Sequence, residues 1–290
     1  MGSFGGHALP GSFFIIFAIW YTVQSFRRYF QCRENGARFT STVTFPCSCL
    51  CGRFKHWPVE GMIKLFFISV GLTVEITAGF VDGKFRSIGN GQHATMFFFF
   101  GITGLIDLLV HFRAPLPPNT DYISNAIAFG VEALLFNFHL YGRTPLDVLV
   151  HVLLLYVVLA SIVCVFVEMR YRHNLLSPLG RAYLMLMQGT WFWQVGFILY
   201  PPLDFAKWNE NDHGQLMLAT MYFTWHGGVN FILMLLIGAV IACRYRRRNV
   251  YYSNELNMKR LIHSPGQQKS VSLNDESGSD VEFEKPPNGP

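Results

Sequence analysis

Apolar residues run almost unbroken through seven stretches of the chain, at about 8–26, 59–81, 91–112, 119–140, 146–169, 177–200 and 214–243. Each is near the roughly 20 residues that carry an α-helix across about 30 Å of hydrocarbon. A lipid interior offers the backbone no water, so spanning segments are helices or strands of a closed barrel. These runs are continuous, without the short alternations of barrel strands, and so predict helices. The expected fold is all-α: a seven-transmembrane-helix bundle over residues 1–248 and a disordered tail over 249–290. Proline places some ends. Pro115, Pro117 and Pro118 mark a turn, Pro145 starts a helix, and Pro201 and Pro202 end one.

Composition agrees with a polytopic membrane protein. The 290 residues are 51% hydrophobic and 14% charged, where a soluble domain carries about 25% charged residues. The first span has no basic leader and is followed by "SFRRYF", so it reads as a retained helix and not a cleaved signal. Basic residues crowd three connections: Arg27, Arg28, Arg33, Arg38, Arg53 and Lys55 after the first span, Arg170 and Arg172 after the fifth, and "CRYRRR" after the seventh. With seven spans, the positive-inside rule puts the N terminus in the lumen or outside the cell and the C terminus in the cytosol. The tail is too poor in apolar residues to build a core, and its Ser277 and Ser279 lie among acids. The expected partners are the lipid bilayer and other membrane proteins. Nucleic acid is not among them.

Ionisable groups then become informative, because intramembrane charge is costly and marks functional candidates. The stretch "HLYGRTPLDVLVH" joins the fourth and fifth spans. Asp147 and His151 are four residues apart and share a helix face. Glu132 and His139 are seven apart and share another. On the expected topology His7, Glu75, His93, Glu132, His139, Arg143, Asp147, His151, Gln194 and His226 all fall in the lumenal leaflet, and Asp107 is the exception. His93, His139, His151, His226 and Glu132 are candidate metal ligands, for zinc or a haem. Glu132 or Asp147 would be the catalytic base. His7, Glu75, Asp107, Arg143 and Gln194 form a supporting polar network. The bland alternative is structural: a rim of hydrogen bonds, with Asp147 and His151 capping the fifth span and Glu132 protonated, or paired to Arg143 or a histidine.

The aromatic runs "MFFFF" and "WFW" read as lipid-facing or packing surface, and Gly101 and Gly104 as points of close helix approach. His111 and His173 read as surface residues at the cytosolic edge. Cys47, Cys49 and Cys51 in "CSCLC" lack the second paired cluster of a zinc ribbon and read as thiols of a reducing loop, open to S-acylation. The motifs "GHALPGSFF", "QHATMFFFFGITGLIDLL", "EALLFNFHLYGRTPLDVLVH", "QGTWFWQVGFILYPP" and "TWH" together resemble the transmembrane protein 45 family, over about residues 1–26 and 59–245. The resemblance implies a multi-pass protein without an established activity, in Golgi or endolysosomal membranes.

Three functions stay open at this point. One is a metal or haem protein, with lipid as the substrate if it is an enzyme. The known intramembrane zinc hydrolases use a His-x-x-x-His helix, and here the spaced pair is Asp147 and His151. The second is a membrane scaffold or trafficking factor. The third is a receptor or proton-coupled transporter, although no Arg-centred triplet follows the third span and no internal repeat is evident.

Overall fold

The computed structural model describes residues 3–45, 57–202 and 207–262. Cys47, Cys49 and Cys51, and Ser277 and Ser279 of the tail, lie outside them. The chain divides into two units, Met1–Tyr245 and Arg246–Pro290. The described residues hold seven α-helices: α1 (Phe4–Glu34), α2 (Val59–Gly79), α3 (Ile88–His111), α4 (Thr120–His139), α5 (Pro145–Arg170), α6 (Leu176–Leu199) and α7 (His213–Ile262). α7 runs on through residues where a polar, unstructured tail was expected from about 249.

Local chemistry sets the ends. The Ser3 hydroxyl accepts from the Gly6 N–H at 3.0 Å and caps α1. Ser87 caps α3 in the same way. Pro145 occupies the first turn of α5, where its missing N–H costs nothing. Between α2 and α3, β1 (Phe80–Val81) and β2 (Lys84–Phe85) pair antiparallel about Asp82 and Gly83, both at positive φ as a two-residue hairpin loop demands.

In the first unit α1 packs on α6, α6 on α5, α5 on α4, α4 on α3, and α3 on α2; a narrower seam joins α2 back to α1. Six helices therefore close a ring. α7 lies against α6, where Asn230 donates to the Thr190 hydroxyl at 2.8 Å and Phe223 packs edge-on to Trp191. It also meets α1, with Tyr245 stacked on Phe30 at 5.7 Å.

Five helices are long and apolar enough to cross a membrane: α1, α2, α3, α5 and α7 over His213–Arg248. α4 and α6 are diluted by polar residues, and those residues point inward. Ser124, Glu132, Arg181 and Gln188 are buried, whereas Phe66, Val163, Phe231 and Leu236 stand more than half exposed. A polar interior with an apolar outside is stable only in hydrocarbon, so the chain is a multi-pass all-α membrane protein in contact with the bilayer.

The ring has two ends: the near end, where α1 begins, and the far end, where it finishes. At the far end residues 39–45 fold back onto the helices. Phe39, Ser41, Val43 and Phe45 are buried. The Ser41 N–H donates to the Arg172 carbonyl at 2.7 Å, and the Phe45 N–H to Glu60 at 2.9 Å. A connection that reads from its charges as a solvated basic loop thus supplies a plug.

Candidate functional site

α1 and α6 cross with their backbones almost touching. A Cβ on Gly189 would lie 2.7 Å from the Gly11 carbonyl oxygen, and one on Gly11 2.8 Å from that of Gly189. α2 and α3 approach closely too: a Cβ on Gly101 would be 3.1 Å from Ile68 and one on Gly104 3.2 Å from Leu65, as their sequence positions predict.

Inside the ring is a cavity of about 120 Å³, walled by residues of all six helices. Its middle is aromatic. Phe14 lies 5.6 Å from Phe100 and 5.9 Å from Phe192, Phe100 lies 5.5 Å from Phe129, and Phe136 lies 6.0 Å from Phe192. Glu132 enters this wall between Phe129 and Phe136 on α4. It is 2% exposed. Its Oε1 accepts from Gln188 Nε2 at 2.7 Å, and its Oε2 has no partner among the described residues. The partners expected for it, Arg143 or a histidine, are engaged elsewhere.

The near end holds a polar vestibule of about 110 Å³, which shares His7, Glu75, His93 and His139 with the cavity. The histidine rings form a chain: His93 to His139 at 5.3 Å, His139 to His151 at 6.1 Å, and His151 to His7 at 5.7 Å. Each ring has its own anchor. His93 Nδ1 is 3.3 Å from Glu75, which also accepts from Asn90 at 2.7 Å. His139 Nδ1 meets Gln92 at 2.8 Å, and His7 Nδ1 the Ser3 carbonyl at 3.0 Å. His151 Nδ1 donates to the Asp147 carbonyl at 2.8 Å, and Asp147 pairs with Arg143 at 2.7 Å. Arg143 also contacts His139 and donates from Nε to its carbonyl. The α4–α5 hairpin thus locks itself: Arg143 ties the last turn of α4 to the first turn of α5.

Of the candidate metal ligands, His93, His139 and His151 are neighbours. Glu132 and His226 do not join them. His226, on α7, meets Gln194 at 3.4 Å and the edge of Trp191, and does not line the cavity. Gln194 goes with it. Among the described residues no three His, Cys, Asp or Glu side chains form a group fit to hold a metal ion. Asp107 belongs to a different set at the far end, paired with Lys64 at 2.5 Å.

That far-end set was not expected. Glu60 accepts from Trp20 at 2.8 Å, from Tyr21 at 3.0 Å and from the Phe45 N–H. Arg181 Nε donates to Glu168 at 2.6 Å, and its guanidinium covers the Tyr21 ring at 4.7 Å. Buried charge is therefore not confined to one leaflet. Lys64, Glu60, Glu168 and Arg181 sit within a turn or two of helix ends, where sequence alone makes them resemble boundary residues. The aromatic runs also divide differently from expectation. Met96, Phe97, Phe100 and Phe192 line the cavity, while Phe98 faces outward. His173 anchors the plug through the Phe39 carbonyl at 2.9 Å, and His111 is exposed.

Comparison with known proteins adds family context. A model described as "Family of unknown function (DUF716)" matches residues 119–239. The chain is 25% identical over 264 residues to transmembrane epididymal protein 1A of Mus musculus, covering 85% of this chain and 83% of the relative. It is 23% identical over 252 residues to transmembrane epididymal protein 1 of Rattus norvegicus, covering 81% and 79%. The human protein of that name is 27% identical over 159 residues, 53% of this chain and 57% of the relative. These matches overturn the resemblance to the transmembrane protein 45 family, and the compartments it implied fall with it.

Proposed function

We propose that this chain is a ligand-binding membrane protein that holds a small, largely apolar molecule in the centre of its helix ring. What supports the reading is the cavity. Nine phenylalanines stand around it. Interiors ordinarily pack without voids, and an unfilled space among large side chains costs stability, so walls held apart in this way favour an occupant. Access is from the near end through the vestibule. The far end is closed by the plug and by Lys64, Glu60 and Asp107, which favours a binding site over a through-channel.

A metal or haem centre fits less well. The five candidate ligands do not converge. A cavity of about 120 Å³ compares with the roughly 150 Å³ that holds one benzene, and so has no room for a porphyrin.

We place seven spans in the bilayer, α4 and α6 included, because both stand in the ring beside helices of spanning length. The near end is then lumenal or extracellular and the far end, with its basic connections, cytosolic. A protease-sensitive tag before residue 3 is expected to be protected in sealed cells' internal vesicles or cut from outside at the surface, and a tag after residue 290 to be cut only in permeabilised cells. The reverse pattern overturns the orientation.

The function is tested by purifying the full chain in mild detergent and identifying retained small molecules by mass spectrometry, with Met96→Trp alongside. Met96 lines the cavity and is 8% exposed, so an indole in its place occupies that space. The expected result is a stoichiometric small molecule in wild type that is absent from a monodisperse Met96→Trp protein. Identical contents in both would sink the reading. So would stoichiometric zinc lost on His139→Ala/His151→Ala, which would establish the metal centre instead.

A further inference from the structure

The cavity has chemistry as well as space. Glu132 is the one carboxylate in its aromatic middle, on α4, with Phe129 and Phe136 one turn to either side. Its one hydrogen-bond partner among the described residues is a neutral amide. Glu132 Oε2 is buried without a donor, and so is the carbonyl oxygen of that partner, Gln188. With Glu132 ionised, both orphan atoms are acceptors. A buried polar atom left unpaired costs about 1–3 kcal/mol, and natural interiors seldom leave two side by side.

What is missing from the middle of the ring is therefore a donor. Anions and carbonyl compounds bring acceptors and would leave both atoms unsatisfied. A hydroxyl brings one donor. An ammonium group brings three donors and no acceptor, together with the charge that a buried carboxylate needs. The rest of the wall agrees: the π faces of phenylalanine attract a cation, most strongly where water is excluded. The cations lining the cavity and its vestibule, and the buried Arg181, are committed elsewhere. Lys64 is paired with Asp107 and Glu60, Arg143 with Asp147, and Arg181 with Glu168.

We propose that the central cavity is a site for a small organic cation, a protonated amine with a compact hydrocarbon body, whose ammonium group binds Glu132. The cavity of about 120 Å³ fits a short chain by itself, and one ring when the ligand extends into the adjoining vestibule of about 110 Å³. Phe14, Phe100 and Phe192 face the hydrocarbon, and Phe129 and Phe136 flank the charge. The histidine vestibule is the approach, with its single arginine neutralised by Asp147. The proposal rests on the cavity-binding reading and names the ligand class for it.

The test uses three probes of one shape: benzylamine, benzyl alcohol and benzoate. Each is titrated into the full chain in mild detergent, with thermal unfolding as the readout, for wild type, Glu132→Gln, Phe129→Leu and Met96→Trp. In wild type, benzylamine is expected to raise the unfolding midpoint at concentrations about tenfold lower than benzyl alcohol, and benzoate to do nothing. Glu132→Gln is expected to remove the preference for the amine. Phe129→Leu keeps the carboxylate, so it remains informative if Glu132→Gln misfolds, and is expected to weaken the amine severalfold with little change for the alcohol. Equal stabilisation by amine and alcohol in wild type, or a preference that survives Glu132→Gln, overturns the amine site and leaves the cavity reading intact. If no probe discriminates wild type from Met96→Trp, both fall.

Discussion

Glu168→Gln and Arg181→Met are each expected to destabilise the folded protein by about 3–5 kcal/mol, the cost of leaving one charge of a buried pair without the other. The two side chains are 0% and 2% exposed and meet at 2.6 Å. Neither has an escape route to water. Tyr122 donates to Glu168 at 3.3 Å, Arg181 donates to the Thr42 carbonyl at 3.3 Å, and the Tyr21 ring covers the guanidinium. The pair thus ties α5 and α6 to the plug and to α1. The double variant Glu168→Gln/Arg181→Met removes both charges and is expected to recover most of the loss. Thermal unfolding of the four proteins in one detergent decides it. Single variants as stable as wild type, or a double variant whose loss is the sum of the singles, would show that the charges are not buried against each other.

The second large effect is expected at the α1–α6 crossing. Gly189→Ala should cost about 1–3 kcal/mol, the usual penalty for forcing a methyl into a packed interior, and Gly189→Leu should leave little folded protein. The reason is what the new Cβ meets: the Gly11 carbonyl at 2.7 Å and the Ile15 N–H nitrogen at 2.8 Å. Both are backbone atoms of α1, which yield only if the helices separate. Separation would also open the cavity wall, since Phe14 on α1 and Phe192 on α6 stack there at 5.9 Å. Ligand retention should therefore fall along with the unfolding midpoint. Gly130→Ala is the control. A Cβ there has nothing within 4 Å, and alanine is the better helix former by about 0.8–1.0 kcal/mol. A Gly189→Ala protein as stable as Gly130→Ala would mean that the two helices do not meet as described.

The helices were legible because hydrocarbon imposes one rule on every residue of a span, and five of the seven are long and apolar enough to cross a membrane. Pro145, Pro201 and Pro202 mark ends in the structure where they mark them in the chain, since a proline's missing N–H and fixed φ act locally. The helix-face pairs were legible too. Asp147 and His151 contact each other, and Arg143 ties their turn to His139, all within one hairpin. That His93, His139, His151 and His7 gather at one end of the bundle followed from spacing and topology, but the pairing of His93 with Glu75 did not.

Whatever depended on how helices turn towards one another was not legible. Charge counting cannot distinguish a Glu60 or an Arg181 buried at a helix end from one in headgroup water. Glu132 was visible as a buried acid, but its neutral partner on α6 and its orphaned oxygen were not, because that pairing spans 56 residues of chain. The same holds for His226, which reads as a ligand but, on α7, packs against Trp191 and Gln194 of α6. Phe97 and Phe98 are adjacent in a run that looks uniform, yet one lines the cavity and the other faces lipid. By itself the sequence determined that the chain is helical and embedded in a membrane, and which residues are too polar to face lipid. Only the tertiary structure decided which of them meet, that the ring encloses a cavity, and that a carboxylate with one orphaned oxygen stands inside it. The physical reason is that hydrophobicity acts residue by residue, whereas hydrogen-bond satisfaction and packing are properties of pairs brought together across the fold.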